Sequence, residues 1–108
     1  MEQEITAVLG KGTGGFDGIF AASDLIAMSC LRMLHANGAS VPEDVQLVGF
    51  DDLSFAAQTS PPLTTVHQDI NEGARAMVEK LKARIDGRDA ESLIMPPRLI
   101  VRKTTRTA

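Results

Sequence analysis

The stretch from Asp17 to Asp52, DGIFAASDLIAMSCLRMLHANGASVPEDVQLVGFDD, constrains the fold more than any other part of the chain. It reads as a strand, a capped helix, a loop and a second strand. Each strand runs into acid at its carboxyl end, Ala22-Ser23-Asp24 for the first and Gly49-Phe50-Asp51-Asp52 for the second. A β-α-β unit of this length calls for a right-handed crossover and a parallel pair. Gly18 to Ala22 and Val45 to Phe50 are short apolar runs suited to strands buried on both faces. In open parallel sheets, ligands bind outside the carboxyl ends of the strands. Ser23, Asp24, Asp51 and Asp52 are therefore expected at one rim, the only place where the sequence offers a site.

Ser23 or Asp24 can cap the helix by accepting a hydrogen bond from a free backbone N–H of its first turn, and capping is the main role expected of Asp24. Asn37-Gly38 supplies the stop. At 100° per residue, Ile26, Ala27, Cys30, Leu31, Met33 and Leu34 share a broad inner face, while Leu25 and Met28 fall outside it. Gly49 is placed to relieve crowding where the second strand approaches a neighbour or a ligand.

Upstream, Glu2 to Leu9 has mild helical character and reads as the last turns of an element that began earlier. Gly10-Lys11-Gly12-Thr13-Gly14-Gly15 formally satisfies G-x-G-x-x-G. It follows a helix and precedes a strand, the reverse of what a dinucleotide needs, so it reads as a flexible connection. Downstream, Leu53 to Ser60 reads as a loop holding Phe55. Pro61-Pro62 introduces a third strand, Leu63 to His67, with His67 as a hydrogen-bonded structural histidine. Asp69-Ile70-Asn71-Glu72 resembles a capping box and opens an amphipathic helix with Ile70, Ala74, Met77, Val78, Leu81 and Ile85 on one face. Gly87 ends that helix. Pro96-Pro97 precedes a last strand, Arg98 to Arg102.

Composition excludes several classes. The 108 residues leave room for one small domain, with 44% hydrophobic and 23% charged residues, as in soluble globular proteins. No apolar run approaches the roughly 20 residues of a membrane span. The acidic start, Met1-Glu2-Gln3-Glu4, is unlike a secretory signal, so the chain is expected to be cytoplasmic. A single cysteine, Cys30 in an apolar helical run, excludes a disulfide framework and reads as a small buried hydrophobe. A net charge of −3 and only four aromatic residues, all Phe, argue against a nucleic-acid surface. The basic residues Arg98, Arg102, Lys103 and Arg106 read as a solvated strand and frayed terminus. No metal-ligand set or cofactor is expected.

Taken together, GIFAASDLIAM, VPEDVQLVGFDD, PPLTTVHQD with its amphipathic helix, and PPRLIVRKTT, in that order and spacing, resemble the C-terminal part of a lactose/galactose-repressor (LacI/GalR) family regulator. The resemblance covers about Gly18 to Thr105. It implies an α/β fold made of parallel-sheet β-α-β layers of a periplasmic-binding-protein-like (type I) lobe, here incomplete. Residues 17–62 correspond to the second-lobe core, 63–95 to a crossover strand and a helix of the first lobe, and 96–108 to a closing strand and tail. Such regulators join a helix-turn-helix and hinge helix to a two-lobed domain that binds a small molecule between the lobes and so changes affinity for operator DNA. The helix-turn-helix, the hinge and most of the first lobe have no counterpart in these 108 residues, so this polypeptide is not expected to bind operator DNA itself.

The resemblance also assigns roles. Asp51 matches the family's effector-contacting acid, and a carboxylate suits the hydroxyls of a sugar or other polyol. Ser23 stands where many sugar-binding members have Asn, offering a shorter reach and one hydroxyl instead of an amide. Gln68 matches a crossover position near the cleft. Leu25, Met28 and Phe55 match positions used in homodimer contacts. The alternative within the same fold is the sugar-binding component of a transport system. An enzyme using Asp51 and Asp52 as an acid/base pair is disfavoured, because adjacent strand residues point to opposite faces.

Overall fold

Local sequence signals set the elements, and the computed structural model, which describes residues 15–107, shows how they assemble. The expected helix at Glu2 to Leu9, and all of the glycine run except Gly15, lie outside the described residues. The chain divides into two compact units: a smaller one, Gln68–Arg98, and a larger one formed by the residues on either side of it.

In the larger unit, β1 (Gly18–Phe20), α1 (Asp24–Ala36) and β2 (Gln46–Val48) form the expected β-α-β unit. The two strands are parallel, with Gly18 opposite Gln46, Ile19 opposite Leu47 and Phe20 opposite Val48. The ladder continues toward β3 (Thr65–His67) through single parallel bridges, Val48 to Thr64 and Asp51 to His67. Strand β3 also pairs with β4 (Arg98–Ile100). The core lies beneath α1, where Ala27, Cys30, Leu31 and Leu34, spaced at i, i+3, i+4 and i+7, pack with Val45, Leu47, Ala56 and Leu63. Each fully buried Leu here contributes about 1.5–3 kcal/mol relative to exposure. Ile26 and Met33 are partly buried against this cluster, while Leu25 and Met28 remain exposed, as their angular positions predict. Burial pushes the Cys30 thiol pKa up, which suits a packing role. Helix α1 stops where expected, with Asn37 as C-cap and Gly38 at φ 78°, a left-handed conformation that costs glycine nothing.

Three expectations need correction. Strand β1 is not buried on both faces, because among the described residues it pairs only with β2. Phe20 is 67% exposed and meets Phe50 edge-on, with ring centroids 6.5 Å apart. The segment after Asp52 is not wholly loop, since Ser54–Gln58 forms a 3-10 turn that buries Ala56. The basic terminus is not frayed: Thr104 is fully buried, Leu47 N–H donates to Thr104 O at 2.9 Å, and Thr104 Oγ1 donates to Leu47 O at 2.7 Å. Arg106 N–H is also tied to Gln46 Oε1 at 2.7 Å.

The smaller unit centres on α2 (Ile70–Ile85). Asp69 caps it, accepting from Glu72 N–H at 3.0 Å, while the Glu72 carboxylate accepts from Arg75 at 2.6 Å. None of the α2 residues is buried, and Ile70, Met77, Val78, Leu81 and Ile85 lie exposed along it. No described helix is long and apolar enough to cross a membrane.

Candidate functional site

The rim at the carboxyl end of β1 and β2 forms because the chain leaving β1 runs beside the chain leaving β2. Ala21 N–H donates to Val48 O and Asp24 N–H to Phe50 O, both at 2.8 Å, which brings Ser23 alongside Phe50-Asp51. Of the four polar residues expected there, Asp24 and Asp52 have both carboxylate oxygens engaged by other parts of the chain.

Asp24 is not the helix cap. Ser23 has extended backbone angles (φ −153°, ψ 164°), and its Oγ accepts from Ile26 N–H at 3.2 Å, so Ser23 is the N-cap. Asp24 is already helical, and its carboxylate turns inward, where it is completely buried. Its Oδ1 accepts from Thr65 Oγ1 at 2.5 Å and its Oδ2 from Leu53 N–H at 2.7 Å, which ties the start of α1 to β3 and to the turn after β2. Gly49 makes room for it. A Cβ there would collide with Asp24 Oδ1 and lie 3.0 Å from Leu63 Cδ2, so the close approach expected at Gly49 is to Asp24 itself.

Asp51 and Asp52 follow β2 in an unusual backbone conformation, with φ 115° and 56°. Two consecutive non-glycine residues in this region cost on the order of 1–3 kcal/mol each and persist only where surrounding contacts over-determine them. Asp51 N–H donates to Val66 O at 2.9 Å. Asp52 is bound at both carboxylate oxygens: Arg102 Nη2 donates to Oδ1 at 2.8 Å, and His67 Nδ1 lies 3.0 Å from Oδ2. Burial pushes the Asp52 pKa upward, but hydrogen bonds from Arg102 and His67, with their charge, outweigh this and hold it below the usual carboxylate value. His67 is thus a hydrogen-bonded structural residue, as expected.

Of the rim residues, Ser23 and Asp51 remain the candidates for a ligand contact. Capping uses one lone pair of the Ser23 hydroxyl. Asp51 is half-exposed beside it. Gln68, the third candidate, is the first residue of the smaller unit and is exposed. Leu25 and Met28 are exposed on α1, and Phe55 is half-buried in the 3-10 turn. No group of three or more His, Cys, Asp or Glu among the described residues is arranged to hold a metal ion. A cavity of about 620 Å³, lined in part by Pro42, Pro61, Lys103 and Arg106, includes none of the rim residues.

Sequence reasoning missed the Asp52–His67–Arg102 cluster and the buried threonines. Thr64, Thr65 and Thr104 are at most 1% exposed. Thr64 N–H donates to Thr104 Oγ1 at 2.8 Å, and Arg102 N–H donates to Thr64 Oγ1 at 2.9 Å. The repeated Thr-Thr pairs at 64–65 and 104–105 were the available signal, since β-branched hydroxyl residues suit a buried strand whose polar atoms find partners.

Comparison with known proteins bears on the family and the fold. A family model described as a periplasmic binding protein-like domain matches residues 5–105. The HTH-type transcriptional regulator CelR of Thermobifida fusca is 42% identical over 90 residues, which is 82% of this chain and 26% of that protein. A solved complex of the transcriptional regulator CelR with cellobiose superposes with a TM-score of 0.86 at 37% identity, over 95% of this chain and 32% of the other. A Lac repressor dimer bound to operator and the anti-inducer ONPF superposes with a TM-score of 0.88 at 28% identity, over 97% of this chain and 37% of the other. The chain thus spans between a quarter and two fifths of the proteins it resembles.

Proposed function

The chain belongs to the periplasmic binding protein-like domain family, and on that premise we propose that it is part of the effector-sensing domain of a LacI/GalR-type transcriptional regulator. It takes a small polyol, a sugar, at the rim of Ser23 and Asp51, and it catalyses no reaction. The observation that carries this reading is the turn after β2. There Asp51, held at φ 115°, stands at the carboxyl end of a parallel sheet, next to a segment that begins with the capping Ser23. A carboxylate accepts charge-assisted hydrogen bonds from neighbouring sugar hydroxyls, and the serine can both donate and accept.

Regulators of this type act in the cytoplasm as homodimers and reach operator DNA through a helix-turn-helix, which has no counterpart in these 108 residues. Leu25 and Met28, exposed on α1, and the half-buried Phe55 supply apolar contact to the second subunit.

A thermal-shift titration with cellobiose, lactose and D-ribose tests the ligand class. A ligand at about 100 times its Kd stabilises the folded state by about 2.7 kcal/mol, a shift of several degrees in Tm. At least one of the three is expected to raise Tm; no shift with any of them sinks the reading.

A further inference from the structure

Asp52 follows the ligand-contacting residue directly, yet both its carboxylate oxygens are occupied by side chains from distant segments. His67 is the last residue before the chain passes into the smaller unit, and Arg102 lies three residues after Leu99, where the chain returns. Arg102 is held by more than Asp52, because its Nη1 donates to Leu63 O at 3.0 Å. Side-chain exposures of 18% for Asp52, 20% for Arg102 and 34% for His67 place the cluster largely out of water, where such pairs hold geometry better than surface ion pairs. The turn they grip is the one whose two residues sit at φ 115° and 56°. A side chain at Asp52 disfavours that angle, and the double grip on its carboxylate opposes relaxation to an ordinary one.

We propose that Arg102 and His67, acting through Asp52, are positioning residues for effector recognition: they hold the turn in the left-handed conformation that sets Asp51 at the rim. The proposal rests on the reading of Asp51 as the ligand contact. Asp52 then contributes its backbone conformation to the site and makes no contact with the ligand. This separates it from Asp51, which the sequence presents as an equivalent neighbour.

The test is calorimetry with cellobiose on the natural polypeptide carrying this sequence, at a temperature where every variant is folded by circular dichroism. Arg102→Met keeps the stem but removes both arms, and is expected to weaken binding about tenfold. Arg102→Lys, which keeps a charge within reach of Asp52, recovers to within about threefold of the parent. The decisive pair is Asp52→Ala against Asp52→Gly. Both remove the carboxylate, but only glycine accepts φ 56° without penalty. Asp52→Gly is expected to bind at least about threefold more tightly than Asp52→Ala, a recovery that loss of a ligand contact or of charge does not produce.

Parent-like binding by Arg102→Met overturns the proposal. So does equal weakening of Asp52→Gly and Asp52→Ala, which makes Asp52 itself a contact. If Arg102→Met does not fold, the Asp52 pair decides alone. Asp51→Ala separates the two layers: its unchanged affinity sinks the site reading together with this proposal. A loss there with Arg102→Met unaffected sinks only the positioning role.

Discussion

Replacing Asp24 probes the joint on which the rim is built. Its carboxylate is fully buried and serves two donors, Thr65 Oγ1 at 2.5 Å and Leu53 N–H at 2.7 Å. Asp24→Ala leaves both donors without a partner. Each orphaned buried donor costs about 1–3 kcal/mol, although the Thr65 hydroxyl can rotate in search of another acceptor. Loss of a negative charge from the first turn of α1 removes a further 0.3–1 kcal/mol or so. Relief from burying a carboxylate works in the opposite direction. The net expectation is a destabilisation of about 2–4 kcal/mol, a large share of the roughly 5–15 kcal/mol that holds a domain of this size. Asp24→Asn keeps an acceptor for Leu53 N–H and can donate to Thr65 Oγ1, so it should cost only about 1–2 kcal/mol. Urea denaturation followed by far-UV circular dichroism reads both values, and the alanine variant should lower the midpoint by roughly 1–3 M. If Asp24→Ala lies within about 0.5 kcal/mol of the parent, the change is no larger than an ordinary surface substitution, and the joint does not exist.

Gly49→Ala places a methyl group against Asp24 Oδ1 and Leu63 Cδ2, and should destabilise by about 1–3 kcal/mol in the same assay. Pairing it with Asp24→Ala should cost less than the sum of the two single changes, since one partner in the clash is then gone. The pKa of Asp52 is lowered on folding, so its contribution to stability is fully present above the unfolded carboxylate value of about 4 and is lost as pH falls through the lower folded value. Unfolding midpoints measured from pH 6 downward should therefore drop less steeply in Asp52→Asn than in the parent, and parallel curves would show that the Arg102 and His67 contacts do not favour ionisation in solution.

The β-α-β centre was legible because its signals are local. A 3.6-residue period places Ala27, Cys30, Leu31 and Leu34 inward, Gly38 marks the stop, and the crossover rule makes β1 and β2 parallel. The rim followed from the same rule. Its internal division did not, because the residues that decide it are far apart in the chain. Asp24 finds Thr65 across 41 positions, and Asp52 finds His67 across 15 and Arg102 across 50. No periodicity encodes such pairings, so Asp24 read as a cap when the extended backbone of Ser23 gives that role to its neighbour. The tail misread for a related reason. A short basic segment looks solvated by composition, whereas Thr104 lies buried between Leu47 and Thr64 through hydrogen bonds that only the fold supplies.

The effector reading turns on Asp51, and calorimetric titration of cellobiose into the natural polypeptide and its Asp51→Ala variant tests it most directly. Removing a carboxylate that accepts charge-assisted hydrogen bonds costs about 1.5–3 kcal/mol, so affinity should fall roughly 10- to 150-fold at a temperature where both proteins are folded. Equal affinity in the two proteins would contradict the assignment of Asp51 as the ligand contact.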